Sequence, residues 1–143
     1  MRKTTIAALV AALCLAVWGA TVATAGGMTL STDLVGLEER PGPGDPDGTG
    51  FVALTFNQGK GEICFELTLS GIDAATAGHI HKAPAGEFGS VFVPLFGSEG
   101  PGAKCVTATK AQIKEIRRNP ELFYVNVHTA AYPNGAVRGQ LGD

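Results

Sequence analysis

The sequence is poor in reactive residue types and in the short motifs of known catalytic sites. Its 143 residues include three cysteines, three histidines and one tryptophan, and only 17% are charged. The patterns G-x-S-x-G, H-E-x-x-H and the phosphate-binding loop are absent. No paired-carboxylate signature points to glycoside hydrolysis. The sequence therefore offers no positive sign of hydrolase chemistry.

Long hydrophobic runs are also scarce, and the one at residues 6–17 is short for a membrane span. It follows Arg2 and Lys3 and precedes a small-residue A-T-A site that ends at Ala25. These features predict a signal peptide over residues 1–25. An uncleaved N-terminal anchor is the alternative. The residue before Cys14 is too large for the usual lipoprotein cleavage site, so we expect no lipid anchor. A secreted or other extracytoplasmic location in the cell envelope follows.

The predicted mature chain, residues 26–143, has the length of one ordinary domain. Without Arg2 and Lys3 it carries nine basic against thirteen acidic residues, a formal charge of −4. A mildly acidic surface argues against binding to nucleic acid or to anionic lipid. Nothing after residue 25 is long and apolar enough to predict a membrane span, and no protein or envelope partner is indicated.

Two cysteines, Cys64 and Cys105, remain after export. An even number of cysteines in an oxidising compartment predicts one disulfide, which typically stabilises a fold by about 3–4 kcal/mol for a loop of this length. The alternative is a pair of thiolate ligands for a metal.

Short apolar stretches bounded by glycine and proline predict an all-β fold. Residues 62–69 alternate cleanly between apolar and polar side chains, as a half-buried strand does. Thr109 and Gln112 form a capping box that predicts one short helix, ended by Asn119 and Pro120. The absence of a βαβ rhythm favours an antiparallel Greek-key β-sandwich or barrel. The predicted strands are 28–37, 51–56, 62–69, 79–82, 90–96, 104–107, 123–128 and 136–141.

All three histidines lie in two of these strands. His79 and His81 form an H-x-H motif, and His128 ends an apolar run. Alternate residues of a strand share a face, so the histidines are predicted to point away from the apolar pattern, with the loops 83–89 and 129–135 beside them. Three imidazoles suit copper or zinc, with affinity falling as histidine protonates. The alternative is a set of hydrogen-bonded histidines that fix loops.

Arg138 and an aspartate pair complete the candidate residues. The planar guanidinium of Arg138 suits an anion or a carboxylate near a metal, and an ordinary ion pair with Glu62 or Glu66 is the alternative. Asp45 and Asp47 have the spacing that begins a calcium loop, but the later acidic ligands are missing.

Two stretches resemble the halves of a CHRD (chordin-type) domain. The first is G-H-I-H-K-A-P-A-G at residues 78–86, followed by V-F-V-P-L at residues 91–95. The second is Y-V-N-V-H-T-A-A-Y-P-N-G-A-V-R-G-Q-L at residues 124–141. The resemblance implies an immunoglobulin-like β-barrel or sandwich in an exported bacterial protein. In animal chordin these domains belong to an extracellular antagonist of growth factors, and nothing in this sequence suggests that ligand.

A looser similarity connects the chain with the copper–zinc superoxide dismutases, which have an H-x-H strand, a later V-x-H strand and a C-terminal arginine. It implies copper bound by His79, His81 and His128, with Arg138 guiding a small anion to the metal. The zinc ligands and the bridging histidine of that family are absent, and no cysteine lies beside Arg138. The similarity therefore implies a mononuclear copper site at most.

Three hypotheses follow from the sequence. The first is a non-enzymatic, exported binding module of the CHRD type that binds copper or zinc, with no catalytic residues. The second is a copper-only redox enzyme related to the dismutases. The third is a metal-free structural or adhesive surface domain, which predicts that the three imidazoles do not converge.

Overall fold

The computed structural model describes residues 27–101 and 104–142. The predicted signal peptide over residues 1–25, including Cys14, lies outside the described residues. Within those two ranges, no helix has both the length and the apolar character needed to span a membrane.

Eight strands form one antiparallel sheet, so the all-β prediction is confirmed. Its order is β5-β4-β7-β8-β1-β2-β3-β6. The edge strands β5 and β6 contact each other, which nearly closes the sheet around one core. The strands are β1 Met28–Val35, β2 Thr49–Asn57, β3 Glu62–Ser70, β4 Ala75–Lys82, β5 Ser90–Phe96, β6 Lys104–Thr107, β7 Phe123–Thr129 and β8 Val137–Gln140, with helix α1 Lys110–Arg118 between β6 and β7.

Six of the eight predicted strands have different bounds in the structure, most by one or two residues, and the differences in β1 and β4 have a local reason. The first ends at Val35, because the chain then makes a 3-10 turn at Gly36–Glu38. A Cβ atom on Gly36 would lie 1.7 Å from the backbone oxygen of Asp45, so only glycine allows this approach. Strand β4 begins at Ala75 rather than at residue 79. Its first residues are small and have little intrinsic strand preference, and pairing with β7 places them in the sheet.

The core forms on the apolar face of each strand and beneath α1. Ile63 and Phe65 of β3 are buried, as the alternation predicts. The capping box is also confirmed, because the Thr109 hydroxyl accepts from the Gln112 backbone N–H at 3.1 Å and Gln112 Oε1 accepts from the Thr109 N–H at 2.9 Å. Helix α1 contributes buried Ile113 to the core.

The predicted disulfide is confirmed, and it excludes the thiolate-ligand alternative. Cys64 of β3 and Cys105 of β6 lie directly opposite each other, and their sulfur atoms are bonded. The bond closes a separation of 41 residues and attaches β6, which is an edge strand, to the rest of the sheet.

Removing this disulfide is expected to lower the free energy of unfolding. Simultaneous Cys64→Ala and Cys105→Ala substitution should cost about 3 kcal/mol, since the unfolded chain regains the freedom of a long loop. Urea unfolding of the double variant and of the oxidised protein measures the difference. An unchanged unfolding midpoint would show that the disulfide does not stabilise the fold.

Candidate metal centre

Strands β4 and β7 place the three histidines on one face of the sheet, as predicted. Ile80, Val125 and Val127 are fully buried in the hydrophobic core. Their neighbours along each strand therefore project from the opposite face. In the register of the two strands, His79 is paired with Asn126 and His128 with Ala77. The imidazoles consequently lie next to one another across the strand pair.

The three imidazoles converge. One ring nitrogen from each of His79, His81 and His128 lies within 4.8 Å of the other two. His79 Nδ1 and His128 Nε2 are 3.1 Å apart. Nitrogens that share a tetrahedral zinc ion are about 3.3 Å apart, given Zn–N bonds of about 2.0–2.1 Å. Small side-chain rotations would therefore bring all three nitrogens into range of one ion.

Backbone carbonyls determine which nitrogen of two rings faces the centre. His81 Nδ1 lies 2.9 Å from the oxygen of Gly89, and His128 Nδ1 lies 3.0 Å from the oxygen of Pro133. A carbonyl oxygen only accepts, so each Nδ1 carries the proton and donates it. In a neutral ring the lone pair is then on Nε2, the nitrogen left for a metal. The loops predicted to border the histidines thus orient them.

One of these lone pairs is buried without a partner. His81 is 5% exposed, and its Nε2 atom makes no hydrogen bond. A buried polar atom without a partner typically costs about 1–3 kcal/mol. In the part of the chain that the structure describes, Glu39 Oε2 is the other buried side-chain atom in this state. A metal ion bound by His81 Nε2 would remove the first of these costs.

The environment keeps the imidazoles neutral. Burial, with the nearby His128 and His81 rings adding to it, lowers the pKa of His79 to about 4. Burial also lowers the pKa of His81 and of His128. Neutral imidazole is the form that binds a metal. Protons therefore compete with a metal at a lower pH than the ordinary histidine range near 6.5 that the sequence implies.

Tyr124 of β7 packs against His81 of β4, on the same face of the sheet. No sequence motif marks this tyrosine. The two rings stack with centroids 4.8 Å apart. The Tyr124 hydroxyl accepts a hydrogen bond from the Gly89 N–H at 3.3 Å, so the same loop residue contacts both rings. The sequence signal for this role is its position in the strand, an even number of residues from Asn126 and His128 and therefore on the same face.

Arg138 lies on β8 beside this cluster and is 1% exposed. Its guanidinium is 3.5 Å from the centre of the Tyr124 ring. It donates to the backbone oxygens of Glu87 at 2.6 Å and Pro84 at 3.2 Å, and to Gln140 Oε1 at 3.1 Å. The alternative of an ion pair between Arg138 and Glu62 or Glu66 is wrong. The 83–89 loop engages these donors. The arrangement therefore favours a role for Arg138 in holding this loop beside the histidines over a role in guiding an anion.

A buried carboxyl group that the sequence analysis missed completes the surroundings. Glu39 is fully buried after the 3-10 turn, and its Oε1 accepts from the Arg40 backbone N–H at 3.2 Å. Burial raises the pKa of Glu39 to about 6. Its position in a glycine- and proline-rich loop predicts exposure, so no sequence signal marks it.

The aspartate pair has a local role. Asp45 Oδ1 accepts from the Asp47 backbone N–H at 3.1 Å and so closes a turn. Neither aspartate belongs to a cluster of three or more potential metal ligands among residues 27–101 and 104–142. The histidine cluster is the group with that property in these ranges.

Comparison with known proteins identifies the family. The model of the CHRD domain family matches residues 30–141, a span that includes the three histidines and Arg138. A search of curated proteins and a search of solved structures each found no match. The looser similarity to superoxide dismutases therefore stays a prediction. The family match covers most of the chain, and the chain belongs to the CHRD domain family.

Proposed function

We propose that this CHRD domain is an exported binding module that holds one copper or zinc ion through His79, His81 and His128. The observation that carries the proposal is the buried Nε2 lone pair of His81, which has no protein partner and belongs to a cluster with the other two rings. A buried acceptor without a donor is uncommon in folded proteins, and a bound metal ion would account for this one.

Two further features support metal binding over a purely structural histidine cluster. The lowered pKa values keep the rings neutral, so the cluster does not stabilise itself through imidazolium hydrogen bonds. Imidazole nitrogen is a preferred ligand of zinc and copper, and two of the three rings have the backbone-carbonyl partner that metal-binding histidines commonly have.

Export is part of the proposal. The disulfide between Cys64 and Cys105 is typical of proteins that mature in an oxidising compartment. The charged, apolar and small-residue pattern of residues 1–25 agrees with it.

Calorimetric titration with zinc and with copper(II) tests the proposal. We expect one ion per chain, and we expect His81→Ala to lower the affinity at least about 100-fold, since it removes one of three ligands. Asp47→Ala removes an exposed potential ligand elsewhere and should leave the affinity unchanged. Circular dichroism of each metal-free variant checks that it folds.

The outcomes separate the three hypotheses. Copper binding without superoxide consumption agrees with a binding module, whereas consumption by the copper-loaded protein would favour the redox enzyme. Unchanged affinity in His81→Ala would exclude the site. Absence of binding of either metal to the unsubstituted protein would leave a metal-free structural domain.

A further inference from the structure

The proposed metal has a fourth protein ligand within reach. Resting on the proposed function, we propose that Asn126 Oδ1 completes the coordination of the ion. The site would then bind its metal through three imidazole nitrogens and one neutral amide oxygen.

The position of Asn126 in the sheet carries the first step. It lies on β7 two residues before His128 and so on the same face, and it is paired with His79 in the β4–β7 register. It is 2% exposed. Its Oδ1 atom is 3.1 Å from His128 Nε2. The amide oxygen is therefore beside the nitrogen that faces the centre.

The chemistry of this close pair carries the second step. His128 Nδ1 donates to the oxygen of Pro133, so Nε2 of the neutral ring is an acceptor. Asn126 Oδ1 is an acceptor as well. Two acceptors at this distance repel each other unless they share a proton or a cation. A metal ion bound by both atoms turns the repulsion into attraction.

Four protein ligands imply a site that holds metal rather than one that performs catalysis. Structural zinc sites have four protein ligands, whereas catalytic sites keep a position for water. An amide oxygen is a hard ligand, and soft sulfur ligands are the ones that select Cu(I). The ligand set therefore favours a divalent ion.

Zinc titrations of two Asn126 variants test the assignment. We expect Asn126→Leu to lower the affinity at least about tenfold, and Asn126→Asp to raise it at least about tenfold because a carboxylate oxygen binds zinc more strongly than an amide oxygen. Asn57→Leu is the matched control. It makes the same chemical change at the end of β2, where Asn57 Oδ1 accepts from the Lys60 backbone N–H at 3.0 Å, so it should leave the zinc affinity unchanged.

A spectroscopic readout on the unsubstituted protein decides the question even where a variant fails to fold. In ¹H–¹⁵N spectra, the Asn126 side-chain NH₂ signals are those absent from Asn126→Asp or Asn126→Leu, or they are assigned through the backbone. We expect saturating zinc to shift them, since coordination through oxygen withdraws electrons from the amide.

The possible results distinguish this inference from the proposed function. Absence of binding of both zinc and copper(II) to the unsubstituted protein would contradict the proposed function itself. Zinc binding with unmoved Asn126 NH₂ signals would overturn the fourth ligand and leave the three-histidine site intact. An Asn126→Asp variant that loses affinity as Asn126→Leu does would also overturn it, because orientation of neighbours would then explain both losses.

Discussion

Arg138→Met is expected to lower the free energy of unfolding by about 4 kcal/mol, because a buried side chain would lose its hydrogen bonds while its acceptors stay in place. The guanidinium donates to two backbone oxygens of the 83–89 loop and to Gln140, and it packs on Tyr124. Methionine fills much of the same volume, so the loss comes mainly from unpaired acceptors. Urea unfolding of the metal-free protein measures it.

The same variant is expected to weaken zinc binding, since the 83–89 loop provides the Gly89 oxygen that orients His81. Arg118→Met makes the same chemical change on an exposed position at the end of α1, and it should leave both quantities unchanged. Arg138→Lys should recover only part of the stability, because one ammonium group cannot reproduce the planar fork of donors. An Arg138→Met variant as stable as the unsubstituted protein would show that the loop is held in place without this residue.

Acid is expected to destabilise the metal-free protein between about pH 6.5 and pH 4. His79 has an unfolded pKa near 6.5 and a folded pKa of about 4, so in this interval the unfolded chain binds a proton that the folded chain does not. Its contribution is fully present above pH 6.5 and is lost as the pH falls through 4. His81 and His128 act in the same direction. We expect the thermal midpoint to fall on the order of 10 °C.

Glu39 opposes this trend over part of the interval. Its folded pKa of about 6 lies above its ordinary value of 4.5, so its protonation on acidification favours the folded state. Three imidazoles outweigh one carboxyl group, and the net effect is acid destabilisation. His79→Gln isolates the contribution of His79, because the midpoint should then depend less steeply on pH between 6.5 and 4. Equal slopes in the two proteins would contradict the assigned pKa.

The regular alternation of apolar and polar residues made much of the fold predictable. Period-two alternation placed Ile63 and Phe65 in the core. The same rule placed Ile80 inward and the neighbouring histidines together on the other face. The capping box was predictable from residue spacing within one short segment, and the disulfide was predictable from an even number of cysteines.

The rest of the candidate site was not predictable, because polarity in a strand ordinarily indicates exposure. Tyr124, Asn126 and Arg138 alternate with core residues and read as a solvated face, yet all three are buried. The 83–89 loop covers part of that face, because its Glu87 and Pro84 oxygens accept from Arg138. The loop is rich in glycine and proline and has no periodicity, so nothing local in it shows where it packs.

Residue order within short segments is enough to predict the strand pattern, the family and the three candidate ligands. The folded chain is needed to show which ring nitrogens converge, that burial keeps the rings neutral, and that Asn126 lies beside them. These properties depend on burial and on contacts between segments far apart in the chain. Burial removes water from the groups and so changes both their pKa values and the cost of leaving them unpaired.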